Sequence, residues 1–361
     1  RKNGAISLPD YNIDAGFGGP VPLLSKRLGN LRFFASFRSE HDAYLYQVSR
    51  PGLNKISSLI KLTSDLSKSM KLSFSHIMGE LEATTLSRGG GASYMNDVWD
   101  LASQVNMRGF TMPWRLFTNI YWSPATVNNA TTAMKLTHQL SQKSFYDVLI
   151  KFDEKNYHTW HGTRRDTTRD NEILDGYYVD DSPEGFWGSP YFSIDGRLAF
   201  GGAVSTARDT SIIRSFTVKS DFTSQYNKPN QIKAGMEFVY NDLDLQFGSR
   251  NEFLPEGNYW TSMTQQPYRL SMYVQDKLEY EGFVAIAGVN LDYVDPNGEW
   301  YVLDIYDEQF YSSNYSPEQD DQFQKEELKG NLSLSPRLAI SHPITEVSKL
   351  YFNYGHYQQM P

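Results

Sequence analysis

The chain has 361 residues, of which 40% are hydrophobic, 14% aromatic and 21% charged, and it carries a formal net charge of −8. That balance argues against nucleic acid as a partner, since phosphate contacts need basic clusters. The absence of cysteine removes disulfides, zinc–thiolate sites and iron–sulfur chemistry from consideration, and no apolar run approaches the ~18 residues that would suggest a membrane helix.

In chain order, the first expected strand is LRFFASFR at 31–38. The next pair is KISSLIKLTSDL and MKLSFSHIMGEL, joined by Ser67 to Ser69, with Met70, Leu72, Phe74 and Met78 opposing Lys71, Ser73, Ser75 and Gly79. This alternation is the period of a strand with unlike faces. After a long segment from about 82 to 130 come TTAMKLTHQL and FYDVLIKFDEKNY around the turn SQKS. A second long segment runs to about 210 and leads to IIRSFTVKSDFTSQY, the turn NKPN and QIKAGMEFVYNDLDLQF. Residues 270–293 then form two alternating runs around Glu281 and Gly282, with Asp276 the single polar interruption of the apolar row. A long acidic stretch from 295 to 330 precedes LSLSPRLAISHPI and KLYFNYGHYQQ around the turn TEVS.

Every second connection is very short and the others run to tens of residues. About eleven strands of this kind, most longer than the five or six residues usual in soluble domains, match the wall of an outer-membrane β-barrel. Such walls have short periplasmic turns, long extracellular loops, an apolar band toward lipid and a polar interior. The fold expected is therefore all-β, an antiparallel transmembrane barrel with long extracellular loops. All seven tryptophans fall in the long connections or at the strand ends beside them, which suits an interface or a binding surface.

Three segments carry a resemblance: GFGGPVPLLSKRLGNLRFFASFR at 17–38, RLSMYVQDKLEYEGFVAIAGVNLDYVDPN at 269–297 and LSPRLAISHPITEVSKLYFNYGHYQQMP at 334–361. They resemble TonB-dependent outer-membrane receptors, above all the large receptors of Bacteroidota-like bacteria. The resemblance implies a barrel of 22 strands, the size of plugged outer-membrane transporters, of which this chain would supply about half. It implies that residues 1–30 connect a plug domain to the barrel and that 31–361 are the N-terminal part of its wall. The resemblance also implies a plug domain and a TonB-box segment, and residues 1–361 contain neither. The implied setting is the bacterial outer membrane, with lipid, the TonB complex acting through a plug, and a surface lipoprotein or other subunits as partners.

Ligand or partner contact is expected from loop aromatics: Trp99, Trp114, Tyr177, Tyr178, Phe186, Trp187, Tyr191, Phe192, Trp260 and Trp300. Aromatic faces suit sugars and large apolar ligands equally. His158 and His161 in HTWHG offer imidazoles for a transition metal, against the plainer reading of an exposed polar loop. GGG at 89–91 lacks the Lys-Ser/Thr of a phosphate loop and reads as a hinge. In the acidic stretch, Asp307, Glu308, Asp320 and Asp321 are weak calcium candidates without EF-hand spacing; no cofactor is otherwise expected. Met95, Val98, Leu101, Ala102 and Val105 have helical spacing and suggest a short amphipathic helix over the barrel mouth. No catalytic triad or paired-carboxylate motif stands out, so an enzyme is not expected. The leading expectation is TonB-dependent uptake of a scarce ligand captured by the loops. The alternatives are an outer-membrane anchor or adhesion barrel without transport, and a soluble aromatic-rich glycan-binding β protein.

Overall fold

The computed structural model describes residues 8–45, 49–85, 98–99, 123–160, 171–174, 177–180, 193–194, 198–200, 206–250, 259–304, 306, 322–345 and 347–357. The strands begin with β1 (Tyr11–Pro20), β2 (Arg32–Ala43), β3 (Gly52–Asp65), β4 (Met70–Thr85), β5 (Ser123–Gln139) and β6 (Ser144–Thr159). Four short ones follow: β7 (Asn171–Leu174), β8 (Tyr177–Asp180), β9 (Ser193–Ile194) and β10 (Leu198–Phe200). Then come β11 (Ala207–Asp209), β12 (Ile212–Ser224), β13 (Asn230–Ser249), β14 (Tyr259–Gln265), β15 (Tyr268–Tyr280) and β16 (Phe283–Asp295). The last are β17 (Glu299–Tyr301), β18 (Lys325–Glu327), β19 (Asn331–Pro343) and β20 (Lys349–Gly355).

One 14-stranded sheet dominates, and its pairings are antiparallel throughout. β11 and β12 share one lane between β6 and β13, and β14 and β15 share the next, so the sheet is twelve lanes wide among the described residues. Both lane breaks have local causes. Between β11 and β12 the Ser211 N–H turns to the Asp209 carboxylate at 2.8 Å. Between β14 and β15 stands Pro267, which has no N–H to give the ladder yet still accepts from the Asn241 N–H at 2.9 Å. A four-stranded sheet β7-β8-β10-β9 and the hairpin β17–β18 lie in the long connections.

All eleven expected strands are present, and the wall has one more. It begins at Tyr11 rather than Leu31, because β1 pairs with β2 along its whole length, Tyr11 to His41 through Pro20 to Arg32. Gly16, Gly18 and Gly19 hide this strand, since glycine weakens a strand pattern. Here the missing side chain is required: a Cβ on Gly18 would sit 2.7 Å from the Phe33 carbonyl oxygen. The expected turns at one end of the sheet are short, and the connection between β1 and β2 at the same end, residues 21–31, is the longer exception. At Glu281–Gly282 both residues have positive φ, 47° and 83°, the geometry of a two-residue turn matched to strand twist.

The cross-strand register sorts side chains onto two faces. One carries the row Met236–Met272–Leu291–Leu334 and the row Ala234–Val274–Val289–Pro336. On this face Val274 is 49% exposed, Leu334 62% and Phe352 52%, so none of the described residues covers it. The fully buried side chains instead cluster at the long-loop end: Tyr44, His41, Thr84, Thr85 and Ser123. A soluble sandwich buries its apolar face; this sheet presents it, as a membrane wall does.

The apolar face also has a height. In β6 it runs from Tyr146 through Val148 and Ile150 to Phe152, and in β13 from Ile232 to Tyr240. The nine residues of the β13 run reach the roughly 9–11 that a tilted strand needs to cross a bilayer, and the seven of the β6 run come close to it. Beyond it, toward the long loops, the same face turns polar. Arg214 binds Glu154 at 2.8 Å and Asp242 at 3.4 Å. At the boundary, Tyr268 and Tyr293 both donate to Asp295, at 3.0 and 2.7 Å, which places amphipathic rings at headgroup level.

Candidate functional site

The opposite face carries most of the charge chemistry. Lys135 meets Asp147 at 3.4 Å, and Lys151 meets Asp153 at 2.7 Å. Lys219 lies 3.8 Å from both Asp221 and Glu237, and Arg269 binds Glu237 at 2.7 Å. Hydroxyls complete the network: Thr137 donates to Asp147 at 2.5 Å, Thr131 to Asp153 at 2.7 Å and Ser271 to Asp292 at 2.5 Å. Tyr273 donates to Asp221 at 2.8 Å by lying over Gly235, where a Cβ would come 2.5 Å from its ring. Strand periodicity makes this segregation: each charged residue lies one position from a lipid-facing one. These pairs are partly exposed, so each stabilises little. Their role is to make a wetted, polar inner surface.

At the long-loop end the wall rises above its apolar band and packs against its own connections. Arg50 binds Glu82 at 2.6 Å, donates to Thr126 at 2.8 Å and lies over the Trp160 ring at 5.5 Å. His158 stacks on Trp160 at 4.4 Å, so this histidine is engaged with an aromatic ring; His161 lies outside the described residues. The Thr84 N–H donates to the buried Tyr44 hydroxyl at 3.3 Å, and burial pushes that hydroxyl's pKa up. Burial likewise raises the Asp209 carboxyl, against the opposing bond from Ser211. No group of three or more metal-ligating side chains occurs among the described residues.

The expected contact aromatics are placed in different ways. Trp260 is in β14 on the outward parity, its Nε1 donating to Gln246 at 3.2 Å and Arg250 lying over its ring at 5.4 Å; it anchors the outer side of the raised wall. Trp300 is half exposed in β17, edge-on to Tyr301 at 5.6 Å, and Lys325 lies over Tyr301 at 4.8 Å. Trp99 is exposed within a helical turn that includes Val98. Tyr177 and Tyr178 lie in β8, paired to β7 and β10. Trp114, Phe186, Trp187, Tyr191 and Phe192 lie outside the described residues, as do Asp307, Glu308, Asp320 and Asp321, the GGG stretch and the rest of the expected helix. The inner charged ladder is a polar surface that strand assignment by itself did not mark as a candidate site; its signal was the charged parity opposite each apolar row.

Scans against protein-family models and curated proteins find no match. Solved structures do match. The alcaligin outer-membrane receptor FauA from Bordetella pertussis superposes with a TM-score of 0.53 at 9% identity, over 97% of this chain and 41% of its own. The ferric yersiniabactin uptake receptor FyuA from Yersinia pestis gives 0.53 at 7% identity, over 95% and 44%. The ferric-catecholate import receptor Fiu from E. coli K12 gives 0.51 at 12% identity, over 96% and 49%. This chain thus spans less than half the length of those receptors, and at these identities the likeness is one of fold. Its two-faced, twelve-lane sheet with turns at one end and long loops at the other has the barrel-wall fold of TonB-dependent outer-membrane receptors.

Proposed function

We propose that this chain forms part of the wall of a TonB-dependent transporter in a bacterial outer membrane, taking up a scarce ligand captured by the long loops. The observation that carries the reading is the pairing of an outward apolar band of bilayer height with an inward ladder of ion pairs, in strands whose loops are long at one end only. In hydrocarbon an open sheet edge leaves backbone groups unsatisfied. We therefore assign β1 and β20, the two edges, to contacts with further strands of a larger closed wall. Residues 31–361, joined by β1, make up the part supplied here.

Two of the structural neighbours are named for ferric complexes, which supports an iron-bearing or similarly scarce cargo without choosing it. The role is binding and passage, with no covalent step and no resident cofactor. TonB would act through a plug filling the lumen, and loop aromatics such as Trp300, with those of 177–192, would make the first contact with cargo or with a surface lipoprotein.

The test is growth of a deletion strain on limiting iron and on a panel of glycans, complemented by the full gene. A nutrient-specific defect that the gene rescues, and that collapsing the proton-motive force reproduces, supports transport. Loss of surface adhesion with unchanged uptake of every nutrient would instead support an anchoring barrel.

A further inference from the structure

On the inner face, one four-strand row differs from the ladder around it. Lys233 in β13, Gln275 in β15, Gly288 in β16 and Arg337 in β19 are consecutive register partners. They bound a recess of about 480 Å³ that Tyr273 and Asn353 also line. Its floor is open because Gly288 has no side chain; a Cβ there would come 2.7 Å from the Gln275 Cβ and 2.9 Å from the Val274 carbonyl oxygen. Tyr273 leaves the space clear, since it lies over Gly235 and is held by Asp221. The Arg337 guanidinium lies over the Tyr357 ring, its Cζ 5.1 Å from the centroid.

Lys135, Lys151, Lys219, Arg269 and Lys277 each have a carboxylate between 2.7 and 3.8 Å away. Lys233 and Arg337 have none within ion-pair distance among the described residues, and no acidic residue lines the recess. Lys61, Lys71 and Lys155 on this face also lack a carboxylate within ion-pair distance among the described residues, but each lies in a different row, whereas this row has two such cations beside one recess. Two cations flanking a glycine floor, with the amides of Gln275 and Asn353 beside them, supply donors and no compensating negative charge. Guanidinium forks and ammonium groups are the usual partners of carboxylate and phosphate.

We propose that this recess is an oxyanion-binding site on the lumenal wall, taking a carboxylate or phosphate group. The assignment rests on the reading of this face as the lumen. The anion's source is either an acidic side chain of a chain segment filling the lumen or a free anionic solute.

Charge-selective thiol modification tests it. Gln275→Cys in the full protein, reconstituted in bilayers, is treated with an anionic sulfonatoethyl and a cationic trimethylammonioethyl methanethiosulfonate. Ser75→Cys, on the same face but away from the recess, is the reference. The anionic reagent should gain at least tenfold over the cationic one relative to Ser75→Cys, and the gain should vanish when Lys233→Gln and Arg337→Gln are added. Slowing by added succinate identifies a site open to free solutes. If Gln275→Cys is instead shielded from both reagents, and the two neutralising changes unmask it, the anion is an acidic side chain of the protein itself. Equal rates for both reagents, or shielding that persists after neutralisation, would overturn the proposal. Reaction at Gln275→Cys and Ser75→Cys only with a lipid-soluble maleimide would overturn the lumen reading itself.

Discussion

The turn-side and loop-side halves of the wall are the same strands in different solvents, and they are stabilised differently. In the turn-side half the apolar face has no covering among the described residues, and in the proposed membrane setting lipid takes the place of a core. In the loop-side half, past Glu154 and Asp242, the protein makes its own core: Leu53, Ala83, Ala125 and Ala207 are buried with Tyr44 and a set of hydroxyls. The comparison teaches that removing the bilayer should strip the first half of its main support while leaving the second largely intact.

The largest expected effect tests the loop-side core. Tyr44→Ala empties a fully buried site and should cost about 3–5 kcal/mol locally. Hydrogen exchange in bilayers should then speed at Leu53, Ala83 and Ala125 while Phe74 and Val148 hold their protection; uniform loosening would dissolve the distinction between the halves. Next comes the turn-side half. Phe74→Arg puts a cation on the lipid face and should destabilise by roughly 2–4 kcal/mol, whereas Ser75→Arg, one residue on but facing the lumen, should stay within about 0.5 kcal/mol. Denaturant titration in lipid vesicles compares the two. A smaller effect probes the inner ladder: Tyr273→Phe removes the donor to Asp221 and should cost about 0.5–1.5 kcal/mol in the same titration.

The smallest effect is a pH dependence. Because burial raises the Asp209 carboxyl, the folded loop-side half binds that proton more tightly than the unfolded chain does. Its stability should therefore rise as pH falls through the folded value and level off below the unfolded one. Asp209→Asn should flatten this dependence, read as exchange protection at Ala207 and Ser249 after correction for intrinsic rates.

Much of this was legible in the sequence because a barrel strand has one period and two unlike solvents. The alternation in Met70 to Met78 or Phe283 to Tyr293 fixes which face meets lipid without any tertiary information. β1 escaped because Gly16, Gly18 and Gly19 erase the pattern, and at Gly18 the missing side chain permits the close approach to Phe33 and Phe34. The buried loop-side core escaped for another reason: Tyr44 and Arg50 from the connection after β2 meet Trp160 from the connection after β6, and nothing in local spacing announces that meeting. The candidate site was legible only in part. Trp260 looked like a ligand aromatic by composition, yet its partner Gln246 is set by register, and the recess at Gly288 depends on four strands aligning.

The most direct test of the central claim uses the chain's lack of cysteine. Single cysteines at each position from Phe145 to Asn156, spin-labelled in lipid bilayers, report accessibility to oxygen and to a water-soluble nickel complex. The account predicts alternation, with Tyr146, Val148, Ile150 and Phe152 open to oxygen and Asp147, Leu149, Lys151 and Asp153 open to nickel, and with the even positions turning to water at Glu154. Accessibility to water on both parities, or on the even positions below Glu154, would contradict it.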